Sequence, residues 1–202
     1  MQRICLHKSG KEARLSGRQI LLLAAILAAL LRSVQKRQHR LSLYLATELV
    51  TTAIIERAFN RYGSNSPQYA FVYGFARPFE LAAAAIVSRI KLLAIMLSLF
   101  AAWAVFLYYD WTVDATLALT EGFCFLVIGL SQAMRAPFTE GRYVNGTLAF
   151  LWCSLAIFDF AYTMNWSRVA MQNLNDWVPT ALCAWAFFMV ALFVRRDAPA
   201  TL

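Results

Sequence analysis

Apolar runs near 20 residues, separated by short polar segments, recur along most of the chain. As a helix, a run of about 20 residues crosses a hydrocarbon core of about 30 Å. The alternative spanning architecture, a closed barrel, writes itself as ten-residue segments alternating apolar and polar, and no such segments occur. The pattern therefore predicts an all-α, polytopic transmembrane helix bundle of seven spans. It occupies residues 19–196, between a basic N-terminal tail (1–18) and a short C-terminal tail (197–202).

The spans read in order as follows. Ile20–Leu31 is an apolar core of about 12 residues, short for a crossing. Leu15–Gln19 and Arg32–Val34 lengthen it, with Arg18 and Arg32 reaching to the interfaces. If it only dips into the bilayer, six spans remain. The segment RSVQKRQHR that follows is strongly basic and has no small-residue cleavage site, so a removed signal peptide is not expected. Leu41–Phe59 is the second span and holds Glu48; Asn60–Gln68 is a turn by its Gly, Ser, Asn and Pro content. Tyr69–Ile90 is the third, ended by the basic turn Ser88, Arg89 and Lys91. The fourth is Leu92–Tyr109, followed by the acidic turn Asp110–Asp114. Ala115–Met134, with Glu121, is the fifth, and Arg135–Tyr143 a loop. Gly146–Met164, with Asp159, is the sixth. Asn165–Asp176 reads as a polar loop, and Trp177–Val194 as the seventh span, stopped by Arg195 and Arg196.

Composition agrees. Hydrophobic residues make up 60% and charged residues 15%, against about 25% charged in an average soluble domain; mean hydropathy is +0.54. A net charge of +8 would suggest nucleic acid in a soluble protein. Here the Lys and Arg flank the apolar runs and no DNA- or RNA-binding module is present, so the expected surroundings are the lipid bilayer and its anionic headgroups. Arg32, Lys36, Arg37 and Arg40 follow span one, Arg89 and Lys91 span three, and Arg135 and Arg142 span five. The positive-inside rule puts those loops and the C-terminus in the cytoplasm. Tyr62, Tyr69, Tyr108, Tyr109, Trp111, Trp166 and Trp177 fall at the other face, as an interfacial belt does.

The third span carries the chemistry. Arg77 and Glu80, three residues apart, share a helix face. Pro78 between them cannot donate to the carbonyl of Gly74, which predicts a kink. Charges within a span are expensive and face the bundle interior or water. Five are expected here, Glu48, Arg77, Glu80, Glu121 and Asp159, so that one arginine faces four carboxylates. Like charges in a low dielectric do not all ionise cheaply; at least one carboxyl is then protonated, or a cation is bound. The bland alternative is that these groups are interhelical glue. The other spans are expected to pack around this one.

Other candidates are weaker. Cys124, Cys153 and Cys183 lie in apolar runs without a CxxC pair, and Cys5 in the tail. His7 and His39 lie in basic flanks, so no metal or haem site and no cofactor are expected. Ser88, Ser131 and Ser154 have no His near them in sequence, and no catalytic set is expected. Asn145-Gly146-Thr147 and Asn165-Trp166-Ser167 match the glycosylation pattern, which arises often by chance. Gly122 and Gly129, seven apart, read as a packing face.

The basic first loop, the LYLATELV second span, the Tyr-rich YAFVYGFARPFEL with its mid-span Glu, and the basic stop resemble small bacterial seven-span membrane proteins of unassigned function. A looser likeness is to the seven-span sensor modules of histidine kinases, although no output domain follows residue 196 in this sequence. The resemblance implies a multi-pass protein of the bacterial cytoplasmic membrane, with a membrane-protein partner or a second copy as possible company. The expected function is a non-enzymatic sensor or accessory subunit. The alternatives are a small proton- or cation-coupled transporter and, third, an enzyme acting on lipid.

Overall fold

The computed structural model describes residues 16–63, 66–90, 115–138, 141–163 and 168–194. Every regular element among them is helical: α1 (Gly17–Gln35), α2 (His39–Tyr62), α3 (Pro67–Val87), α4 (Ala115–Arg135), α5 (Arg142–Thr163) and α6 (Arg168–Phe193), with one 3-10 turn at Ala136–Phe138. The fourth predicted span, Leu92–Tyr109, and both tails beyond these limits lie outside the described residues. Among the described residues three helices are long and apolar enough to cross a membrane, Gly17–Gln35, Pro67–Val87 and Arg142–Ala161; α6 adds a shorter apolar stretch, Val178–Phe193.

The short apolar core at Ile20–Leu31 sits inside a 19-residue helix. Its start is fixed by a capping box: Ser16 Oγ accepts from the Gln19 amide, and Gln19 Oε1 accepts from the Ser16 amide at 2.7 Å. Its end and that of α3 are built alike. Gln38 N donates to Ser33 O, Ile90 N donates to Ala85 O, and the arginine before each donor is left-handed, with φ of 58° at Arg37 and 53° at Arg89. A side chain there costs about 1–2 kcal/mol that glycine would avoid. In return, each arginine places its charge beside the carbonyl end of a helix.

Three predicted loops are partly helix, the first being the turn Asn60–Gln68, into which α2 runs as far as Tyr62 and within which α3 begins at Pro67. Arg142–Asn145 open α5, and α6 begins at Arg168, inside the stretch read as the polar loop Asn165–Asp176. Polar side chains end a membrane crossing, but the helical backbone satisfies its own hydrogen bonds and can continue past it.

Apart from α3 and α4, described helices that follow one another in the chain alternate in direction. Gln19 of α1 bonds Asn60 of α2, and Ser33 bonds Ser42, so α1 and α2 are antiparallel. Phe59 meets Tyr69 across α2 and α3. Tyr143 and Phe150 of α5 meet Phe193 and Trp185 of α6. The core holds Tyr44, Trp152, Phe187, Ile26 and Ile128, with Tyr44 edge-on to Trp152 at 5.6 Å. Outside, Leu21, Phe71, Phe75, Met134, Ile157 and Phe188 are exposed, an exterior suited to lipid.

Among the described residues the third span is not the hub that the sequence suggested. Among the described residues α3 packs along α2 and meets α4 only slightly, while the most extensive contact is α4 with α5. Phe71, Phe75 and Phe79, spaced one helical turn apart, turn one face of α3 outward.

Candidate functional site: a buried arginine among carboxylates

Tyr73, Arg77 and Glu80 share one face of α3, at spacings of four and three. Arg77 Nη1 donates to Glu80 Oε2 at 2.5 Å. Its Nε stands 3.0 Å from Glu121 Oε1 on α4, but this N–H is not directed at the oxygen, so the contact is an ion pair without a hydrogen bond. The other Glu121 oxygen accepts from the Tyr73 hydroxyl at 2.7 Å. The guanidinium also lies over the Tyr73 ring, 5.0 Å from its centroid, a favourable arrangement for a desolvated cation. Both carboxylates are buried, while a quarter of the Arg77 side chain is exposed.

The remaining carboxyls come from two more helices. Glu48 of α2 is buried and faces the Glu80 carboxyl and the Tyr44 hydroxyl; its Oε2 has no hydrogen-bond partner. By its place in the sequence Glu48 lies nearer the inner half of its span than Arg77; the packing of α2 on α3 brings it to Glu80. Asp159 of α5 is half-buried. It sits opposite Gly122, where an added Cβ would stand 3.0 Å from the Asp159 Cβ, within electrostatic range of Glu121, Arg77 and Glu80. All five predicted residues thus fall in one region, and Arg77 directly engages two of the four carboxylates.

The predicted kink is not a break. α3 runs continuously through Pro78, whose missing N–H withholds the usual donor from the Gly74 carbonyl.

Sequence reasoning missed the two tyrosines. Tyr73 was readable as the residue one turn before Arg77; Tyr44 was not, because its place depends on how α2 docks on α3 and α5. It also missed Arg135, which donates to the Ser88 and Arg89 carbonyls and so caps the end of α3 from α4. Ser88 is buried at that cap. Asn145, the first sequon asparagine, accepts from Gln132 at 2.6 Å between α4 and α5; Asn165 lies outside the described residues. Cys124, Cys153 and Cys183 are free thiols. Among the described residues no three His, Cys, Asp or Glu side chains converge in a way that could hold a metal ion. No protein-family model, curated protein or solved structure matches the chain.

Proposed function

We propose that the chain is a seven-span integral membrane protein without catalytic activity, a sensor or accessory subunit whose working part is the Arg77 cluster. The observation that carries this reading is the convergence of ionisable side chains from four helices, Glu48, Arg77 with Glu80, Glu121 and Asp159, inside a bundle with an apolar exterior. Charge at such depth is expensive, and sites that carry it are commonly functional.

Two features support the topology. Arg77 pairs with Glu121 while Arg135 caps Ser88, so α3 and α4 run parallel, as the third and fifth spans do in a seven-span order. One end of the bundle gathers Arg32, Lys36, Arg37, Arg40, Arg89, Arg135 and Arg142 with no acidic side chain among the described residues. That asymmetry favours a cytoplasmic location for this end, and with it a cytoplasmic C-terminus. The likeness to small bacterial proteins favours the cytoplasmic membrane of a bacterium, with the lipid bilayer and a membrane-protein partner or second copy as company.

A second reading, a small proton- or cation-coupled transporter, draws on the surplus of carboxylates over cations in the cluster. Reconstitution into liposomes with an internal pH-sensitive dye separates the two. The sensor or accessory reading expects no flux above that of empty vesicles. A flux abolished by Glu80→Gln or Glu121→Gln replaces it with the transporter. A C-terminal reporter active only outside the cytoplasm overturns the orientation.

A further inference from the structure

Arg77 serves Glu80 and Glu121, and Tyr73 takes the second oxygen of Glu121. Of the two carboxyls that Arg77 does not engage, Glu48 and the half-buried Asp159, Glu48 is the more deeply buried. It is 7% exposed, it comes from a different helix, and its Oε2 has no hydrogen-bond partner. Yet it faces another carboxyl, that of Glu80. Two ionised carboxylates in contact in a dry interior repel each other strongly, whereas one proton shared between them turns the repulsion into a hydrogen bond.

We propose that Glu48 is a proton-binding site: its carboxyl is neutral, and it donates its proton to an oxygen of Glu80. The α2–α3 interface then takes up one proton when it closes and releases it when it opens. The inference rests on the membrane-bundle reading and names the ligand of the same cluster.

The surroundings fit a proton better than a metal ion. On α3 the groups facing Glu48 are Glu80 and Arg77, and on its own helix the Tyr44 hydroxyl. On α6 the Cys183 thiol lies within electrostatic range of Glu48. The titratable groups of α1 among the described residues are Arg18 and Arg32, at its two ends. A metal cation beside Glu80 would meet the Arg77 guanidinium already bonded to it and would lack a third anionic ligand. A proton needs two oxygens and no more. The Tyr44 hydroxyl, which also meets Trp152, faces Glu48 as well, so a polar path joins α5 to the carboxyl pair through α2.

Infrared spectroscopy of the full chain in lipid nanodiscs at neutral pH tests this. The carbonyl stretch of a protonated carboxylic acid is expected; it shifts when glutamate carries a carbon-13 carboxyl and disappears in Glu48→Gln. Absence of the band overturns the proposal. So does a band that shifts with labelled aspartate, or one that survives Glu48→Gln and is lost in Glu121→Gln. Labelling decides between glutamate and aspartate in the unmutated protein, so the test stands even if Glu48→Gln does not fold. Extraction by alkaline carbonate checks the underlying reading separately. A chain that stays in the membrane but shows no band loses the proton site alone, whereas a chain washed off loses the bundle reading as well.

Discussion

The α4–α5 contact and the α3–α4 contact join α4 to its neighbours by opposite means. Against α5, α4 presents Gly122 and Gly129. A Cβ at Gly129 would come 2.6 Å from Cys153 Sγ and 3.0 Å from the Cys153 backbone nitrogen. This is the small-residue packing by which membrane helices approach closely and gain dispersion energy. Against α3, α4 has little close packing and instead offers Glu121 to Arg77 and Tyr73, and Arg135 to the carbonyls of Ser88 and Arg89. One contact is held by what the side chains lack and the other by the charge they carry. The glycine seam tolerates little added volume, least of all at Gly129. The polar contact tolerates shape change but not the loss of a partner.

The largest effect is expected where that partner is lost. Arg77→Gln removes the cation on which Glu80 and Glu121 converge, and breaking a buried pair costs about 3–5 kcal/mol. The lower end applies, because Arg77 is a quarter exposed and the freed carboxyls can each take up a proton. At about 2–4 °C per kcal/mol, the thermal midpoint in detergent should fall by roughly 6–12 °C. Glu80→Gln in the same background should cost less than it does alone, since coupled partners are not additive. Strict additivity of the two substitutions would show that the pair does not hold α3.

Next comes the glycine seam. Gly129→Ala should cost about 2 kcal/mol by overpacking, and adding Cys153→Ala should restore only part of it. The sulfur contact goes, but the backbone nitrogen at 3.0 Å remains. Gly122→Ala meets the edge of the Phe160 ring and the Asp159 Cβ. The ring can swing aside, so this variant should melt closer to the parent. Equal loss at the two glycines would mean that the seam gives as a whole and is not pinned at Cys153.

These two contacts were unequally legible. Gly122 and Gly129 announce a packing face by spacing alone, because the helical period is a property of the chain itself. Arg77, Glu80, Glu121, Asp159 and Glu48 were readable as costly charges within apolar runs. Which carboxylate would reach Arg77 was not readable, since that depends on the register between helices, and register follows from docking. The helix ends at Arg142 and Arg168 were misread for a related reason: the sequence records where the apolar stretch stops, whereas the helix continues wherever its own hydrogen bonds allow. The first span, ambiguous at about 12 apolar residues, became a full helix through the Ser16–Gln19 cap, a signal present in the sequence but passed over.

A smaller effect is expected at the far end of α1, where a polar link does the work of neither contact. Buried Gln19 donates to Glu56 Oε2 and accepts from Asn60 Nδ2 at 3.0 Å, fastening α1 to the end of α2. Gln19→Leu keeps the bulk but removes the hydrogen bonds to Glu56 and Asn60 and the Gln19 half of the capping box, leaving the Ser16 Oγ cap in place, and should lower stability by about 1 kcal/mol. An N-terminal tag should also become easier to cleave by protease. A thermal midpoint unchanged by Gln19→Leu would place the fastening of α1 in its apolar packing against α6.

The smallest effect is expected at the residue that looks most alarming. Glu48 and Glu121 are both buried and are the same residue type, so a reading by burial alone expects their substitutions to be about equally damaging. They should differ. Glu121→Gln removes the anion that balances Arg77, whereas Glu48→Gln replaces a neutral carboxyl by a neutral amide of nearly the same shape that can still donate to Glu80. The change at Glu48 should stay within about 0.5 kcal/mol, the range typical of substitutions that break no buried interaction. Glu48→Ala, which removes the donor and opens a cavity, should cost about 2 kcal/mol. A Glu48→Gln variant that melts as early as Glu121→Gln would show Glu48 to be an anion in the folded protein. The α2–α3 contact would then belong with α3–α4, among the contacts held by charge.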